Sequence, residues 1–444
     1  MKTMKLGSLF DGSGGFPLAG SLCGIEPVWA SEIEPYPIAV TKSRFPNMKH
    51  LGSVTDINGG EIEPVDIITF GSPCQDLSVA GKRAGLKHEA NGDDETTRSG
   101  LFMEAVRIIK EMREATNGEY PTFAVWENVP GAFSSNKGED FRTVLEELIK
   151  IVEPTAVMPA VPKNGWSYAD SYCGDGWSLA YRVFDAQYWG VPQRRRRIYL
   201  VLDLRGQRAG KVSFEREGLR GNFAESGTPW KAIAGDVTDC TGADDCEGES
   251  AGNGEGRGLD AVTLEPVVYD GSNITSPINA SNPQPGDPCH TLSTDNRNYV
   301  VVPYTIKIRS GVNATGGHYI AEGGTSPTLR TSVPPGVCVQ YIVRRLTPTE
   351  CARLQGFSDD WGHPDHKEDF TDEEYRFWLG VRNTHASING KPQKDYTKAQ
   401  MLTWYSKLHA DSSEYKMWGN GISLPTALYV MQGISEAMKG GEGL

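Results

Sequence analysis

Apolar residues gather in short runs along the first half of the chain, each followed by a turn and then by sequence with helical spacing. Leu6-Gly7-Ser8-Leu9-Phe10, Val28-Trp29-Ala30-Ser31-Glu32-Ile33, Val65-Asp66-Ile67-Ile68-Thr69-Phe70 and Thr122-Phe123-Ala124-Val125-Trp126 read as strands. Such β-branched and aromatic runs, bounded by turn residues, suit strands buried on both faces of a parallel sheet. Helix-like sequence passes through Ala19 and Leu22, from Ser99 to Arg113 and from Phe141 to Val152. A further strand–helix unit is expected through Gly52-Ser53-Val54-Thr55-Asp56-Ile57. Strands alternating with helices predict an α/β fold around an open, Rossmann-like sheet.

Trp177–Trp189 leads into Gln193-Arg194-Arg195-Arg196-Arg197-Ile198-Tyr199-Leu200-Val201. The last four residues are strand-like, so period-two alternation puts Arg195 and Arg197 on the side opposite Arg194 and Arg196. From about Arg205 to Gln340 the composition changes. Gly, Asn, Ser, Thr and Pro dominate, with short β-like pieces at Ala261–Leu264, Tyr299–Val302, Tyr304–Ile308 and Thr328–Leu329. That reads as irregular β structure with long loops. Beyond it, Trp361–Trp418 holds helix-like stretches at Phe370–Leu379 and Lys398–His409, and a last helix is expected from Pro425 to Met438. The division this predicts is 1–204, 205–340 and 341–444, the last returning to complete the first. The 361–418 stretch is expected to be a surface insertion beside the smaller domain.

Composition changes this picture little. The 444 residues include eight scattered cysteines, with no Cys-x-x-Cys pair and no ligand-like Cys/His spacing. That argues against a structural zinc site or a disulfide framework and suits a reducing cytoplasm; no metal is expected. No apolar run approaches the roughly 20 residues that span a bilayer, and the amino terminus lacks a signal-peptide pattern. A net charge of −13 argues on its face against nucleic acid. The charges are segregated, however. Acids crowd into 236–255 and 368–374 and bases into Arg194–Arg197 and Arg344–Arg345, and a polyanion responds to the local patch.

Candidate chemistry sits where strands end. Gly12, Gly14 and Gly15 follow the first strand, so a ligand could approach the backbone and the free N–H groups of the next helix. Glu32 closes the second strand ~20 residues later, the offset of a ribose-hydroxyl acceptor, and Ile33 beside it could lie against an adenine. Gly71-Ser72-Pro73-Cys74-Gln75 follows the Val65–Phe70 strand and offers a thiol at the carboxyl edge of the sheet, where ligands bind in open α/β folds. Glu127 and Asn128 close the strand at 122–126. A carboxylate beside an apolar wall tends to hold its proton nearer neutrality.

These blocks, in this order, resemble the DNA (cytosine-5)-methyltransferases of bacterial and phage restriction-modification systems. The matching stretches are Phe10–Phe16, Pro73-Cys74-Gln75, Glu127-Asn128-Val129, Gln193-x-Arg195-x-Arg197, Arg345–Phe357 and Gly419-Asn420-Gly421-Ile422. The resemblance implies an S-adenosylmethionine-dependent methyltransferase sheet with a smaller target-recognition domain at 205–340, acting on double-stranded DNA. Cys74 would be the nucleophile at cytosine C6, flanked by Pro73 and Gln75; Glu127 would hold the N3/N4 edge. Arg195 would contact the base or its phosphate and orient that acid; Gln75 and Arg197 would complete the catalytic set, with Pro73, Asn128 and Gln193 beside the DNA. Phe10, Gly12, Gly14, Gly15, Glu32, Ile33, Ser53, Val54, Asn420 and Gly421 would surround the cofactor. Arg297, Arg309, His318 and Arg330 are possible base or phosphate contacts. Ser53 stands where the family usually has an acid, and Gly421 where it often has serine. A monomer in the bacterial cytoplasm, of phage or host origin and with a cognate endonuclease as possible partner, completes the expectation. The alternatives are a cytosine-5 methyltransferase of transfer RNA, a catalytically silent DNA-binding relative and a dinucleotide oxidoreductase.

Overall fold

Strands buried on both faces build the centre of the protein. The computed structural model describes residues 3–72, 100–214 and 346–439 with their side chains, and the backbone of strands at 267–270, 289–290, 298–307, 319–321 and 337–345. Strands β1 (Lys5–Leu9), β2 (Glu26–Ser31), β3 (Lys49–His50), β4 (Ile67–Phe70), β5 (Phe123–Asn128), β6 (Ala169–Gly174) and β7 (Trp177–Asp185) come first. The short β8 (Gln193–Arg194) and the long β9 (Arg196–Asp203) follow. Eight of these form one sheet in the order β3-β2-β1-β4-β5-β9-β7-β6. The first five are mutually parallel, and β9, β7 and β6 pair antiparallel. The strand order reverses between β1 and β4. That is the switch point beside which open α/β sheets bind ligands, and the glycine loop and the Pro73-Cys74-Gln75 segment follow these two strands.

Helices cover both faces. In chain order they are α1 (Gly15–Leu22), α2 (Pro35–Arg44), α3 (Gly100–Ala115), α4 (Glu139–Ile149), α5 (Ala209–Ser213), α6 (Pro348–Leu354), α7 (Asp372–Ile388), α8 (Lys398–Tyr405), α9 (Asp411–Asn420) and α10 (Leu424–Lys439). Phe123, Val125, Tyr199 and Val201 enter a core with Phe16 and Ala19 of α1 and Ala427, Val430 and Ile434 of α10. Their neighbours Ala124, Trp126, Leu200 and Leu202 enter the opposite core with α3 and α4. Near-continuous apolar strands are what two covered faces require. Helix α10 therefore lies on α1 and supplies part of the first core.

Two expectations need correction. The stretch Gly52–Ile57 holds no strand. The strand of that unit is β3, just upstream, and Val54–Asp56 form a 3-10 turn capped by the Ser53 hydroxyl. The 361–418 insertion packs on the large domain. Phe370, Trp378, Met401 and Tyr405 form a third core with Ile38 and Ala39 of α2. Capping boxes at Thr371/Glu374 and Thr397/Gln400 start α7 and α8, and their apolar faces find cover on α2.

In the 205–340 region β12 (Asn298–Lys307) is flanked antiparallel by β10 (Val267–Asp270) and β13 (Tyr319–Ala321) on one side and β14 (Val337–Arg345) on the other. Pro303 falls in the interval left between β10 and β13, where a strand tolerates proline. The small β11 (Cys289–His290) pairs with β8.

Because Ile434 is fully buried beneath the sheet, Ile434→Ala should cost about 2–5 kcal/mol of stability. The exposed Glu436→Ala on the same helix should stay within about 0.5 kcal/mol. Denaturant unfolding of both variants checks this.

Candidate active site

The loop after β1 is wound tightly. Phe10, Gly12 and Gly14 all have positive φ, at 57°, 56° and 76°, and only glycine adopts this without strain. Glu32, at the end of β2, holds the loop. Its Oε2 accepts from the Gly12 amide at 2.8 Å, and its Oε1 accepts from the amides of Ile33 and Glu34 at 2.7 and 2.9 Å. Burial raises the Glu32 pKa, against the pull of these three amides. Asp11, inside the loop, is buried too. Desolvation pushes it up to about 8, the Ser8 hydroxyl opposing and the Glu32 charge adding.

At the other side of the switch point, Glu127 and Asn128 are the last two residues of β5. Glu127 shares the face of Phe123 and Val125, and β9 presents Arg197 on that face too. Arg197 Nε stands 3.1 Å from Glu127 Oε1. Burial pushes the Glu127 carboxyl up, and the charges of Arg197 and Arg195 pull it partly back. Asn128 faces the other way. Its Nδ2 donates to the Ser72 carbonyl at 3.1 Å, its Oδ1 accepts from the Val129 amide at 2.8 Å, and Trp126 Nε1 donates to Ser72 Oγ at 3.2 Å. Gly71 lies so close to Glu127 that an added Cβ would stand 3.3 Å from Oε2. The exit of β4 is thus fastened to the end of β5.

The arginine run alternates as its sequence predicts. Arg194 and Arg196 are exposed, Arg195 is buried and Arg197 half-buried. Arg195 donates to the Gly421 carbonyl and joins the sheet to the return segment, while its charge also acts on Glu127. Gly421 in turn packs on the glycine loop, where an added Cβ would stand 2.9 Å from Ser13 Oγ. A serine at 421 would require Ser13 Oγ to move aside, with the Met417 carbonyl also close at 3.1 Å. Gln193 is fully buried, and its side-chain amide has no hydrogen-bond partner among the described residues.

Gly12, Glu32 and Asn420 line one cavity of about 270 Å³, together with Tyr36, His385 and Lys416. Lys416 and His385 reach Glu34 at its rim, at 2.8 and 3.6 Å, so the insertion supplies part of the wall. The other expected cofactor residues are not on that wall. Val54 turns into the α3/α4 core and Phe10 packs against it, while Ser53 caps its own turn. Pro73, Cys74, Gln75, Arg297, Arg309, His318 and Arg330 lie outside the described residues.

Residues 4–152 match the C-5 cytosine-specific DNA methylase family. Over 492 aligned positions it is 30% identical to a protein of Escherichia phage P1 named DNA N-6-adenine-methyltransferase, covering 99% of this chain and 62% of that protein. It is 30% identical over 207 residues to the type II methyltransferase M.NgoBV of Neisseria gonorrhoeae, covering 46% of this chain and 41% of that one. The chain thus spans less than two thirds of either relative. The solved S. pombe Dnmt2 methyltransferase is alike at TM-score 0.46 and 15% identity, over 98% of this chain and 99% of that one.

Sequence reasoning passed over Asp11 and the Arg197–Glu127 pairing. An acid inside a glycine turn was the available signal for the first. The second depends on the register of β9 against β5, which no local pattern carries.

Asp11 gives a testable sign. Its folded pKa lies above its unfolded value, so it stabilises below about pH 4, and that contribution is lost as the pH rises through about 8. Asp11→Asn should therefore gain stability relative to the parent on going from acid to mildly alkaline pH. Urea midpoints of both proteins at the two extremes measure it; parallel profiles would remove the assignment.

Proposed function

We propose that the chain transfers a methyl group from S-adenosylmethionine to C5 of a cytosine turned out of double-stranded DNA, through a covalent bond between the Cys74 sulfur and C6 of the base. Base extrusion follows from the chemistry, because neither ring atom is reachable in a stacked duplex. The observation that supports this reading most is the β4–β5 junction. Glu127, a buried acid raised by desolvation, borders Gly71, while Asn128 grips Ser72. Covalent geometry keeps Cys74 within about 7 Å of Ser72.

In this reading the Cys74 thiolate bonds to C6 while the Glu127 carboxyl gives its proton to N3. The resulting C4–C5–C6 enamine is what makes C5 nucleophilic enough to accept a methyl group. Loss of the C5 proton to water then lets the C6–S bond break, which returns the thiolate to Cys74 and the N3 proton to Glu127. Arg197 limits how far the Glu127 pKa rises, and Arg195 holds the return segment in place. S-adenosylmethionine, when bound, supplies an electrophilic methyl on a sulfonium sulfur. The residues present fit its ribose. A carboxylate accepts about four hydrogen bonds, and Glu32 uses three on backbone amides, leaving Oε2 a place for a hydroxyl donor. Gly12 and Asn420 share that cavity. In the same reading 205–340 is the target-recognition domain, and 341–444 returns to the first domain.

The name of the phage relative favours a second reading, methylation of adenine N6. That reaction needs no enzyme nucleophile, since the exocyclic amine itself can attack, and it leaves Cys74 and Glu127 without work.

Incubating the purified chain with duplex DNA, transfer RNA and labelled cofactor, followed by nucleoside mass analysis, separates these readings. The expected product is 5-methyldeoxycytidine from DNA. N6-methyldeoxyadenosine alone, or label in transfer RNA alone, would overturn the proposal. Cys74→Ser should abolish turnover while DNA and cofactor binding persist. Glu127→Gln should lower kcat by roughly 10²–10⁴; a twofold loss would assign the acid elsewhere.

A further inference from the structure

Three potential metal ligands meet away from the methylase residues. They are His363, just after the turn at Trp361-Gly362; His409, after α8; and Glu414, in the first turn of α9. One ligand atom of each lies within 4.8 Å of the other two. His409 Nε2 stands 3.4 Å from Glu414 Oε2. Ligands about 2.0–2.2 Å from a tetrahedral zinc ion stand roughly 3.4 Å from one another, so this pair already has the required spacing. The rings of His363 and His409 are 5.0 Å apart and inclined at 87°, so they approach a shared point without stacking.

The surroundings hold the group in place. His409 stacks on Tyr36 of α2 at 5.8 Å and 7°, and the Tyr36 hydroxyl donates to the Gly362 carbonyl at 2.5 Å. Gly362 lies directly on Glu414, whose Oε1 occupies the space a Cβ would need. Glu414 is only 5% exposed. The two imidazoles face it, while Lys416, two residues on, is engaged by Glu34. A buried carboxylate facing imidazoles, with no lysine or arginine paired to it among the described residues, is short of fixed positive charge, and a divalent ion would supply it.

We propose that His363, His409 and Glu414 bind a divalent ion of the zinc class through two imidazole nitrogens and a carboxylate oxygen, water completing the shell. The ion ties the start of the insertion to its end against α2, and so fixes α9, whose Lys416, Met417 and Asn420 border the Glu32 cavity. The site escapes ligand-spacing rules because His363 lies far upstream of His409 and Glu414 in the sequence, and only packing on α2 gathers the three.

The test uses the full chain, stripped with chelator and titrated with zinc alone against a competing fluorescent chelator. One saturable site per chain is expected, weakened at least about tenfold in His363→Ala and in His409→Ala, and unchanged in the nearby His366→Ala. Cobalt(II) in the same site should give the intense visible bands of four-coordinate geometry, lost in both variants. Both ligand histidines are exposed, so these variants should fold, and circular dichroism checks that they do. Absence of saturable zinc in the parent, or equal zinc affinity and cobalt spectra in parent and both variants, would overturn the proposal.

Discussion

A carboxylate taken out of water at the end of a strand must be compensated, and the way Glu127 is compensated organises the candidate site. Its partner, Arg197, comes from β9, which runs against β5 and presents arginines on alternate positions. One arginine reaches Glu127 and the next inward one reaches the Gly421 carbonyl. Asn128, on the opposite face, fastens β4. A single strand end therefore links the arginine strand, the loop after β4 and the return segment. Breaking a buried pair by removing one member typically costs about 3–5 kcal/mol, so the arrangement is stable only as a set.

Much of this was legible in the sequence because it follows from periodicity. The parallel strands, the helices at 100–115 and 139–149 and the alternation of the arginines all rest on local spacing. So does the identification of Glu127 and Asn128 as strand-terminal residues. What was not legible depends on register and docking. The choice of Arg197 as the partner of Glu127 requires the offset of β9 from β5. Val54 is expected beside the cofactor by the family resemblance, yet the turn at 54–56 carries it into the α3/α4 core. The insertion reads as peripheral, because nothing in its own pattern reveals that α2 offers it an apolar surface.

That docking gives the Glu32 cavity two kinds of wall. Glu32 and Gly12 form the wall expected of the α/β sheet, while His385 and Lys416 form a wall that belongs to this chain's extra helices. Glu34 is the joint between them. Its carboxyl is held down to about 2, His385 and Lys416 acting against burial, so the joint stays charged across the physiological range.

The position of α10 bears on how the protein is made. Its residues fill the same core as β1 and α1, with more than 400 residues of chain between them. During vectorial synthesis the earliest strands must wait, one apolar face uncovered, until α10 leaves the ribosome. Loop closure over such a separation slows assembly, and exposed apolar sheet surface in the interim invites association. Nascent chains halted before residue 424 should accordingly be clients for chaperones that bind apolar segments.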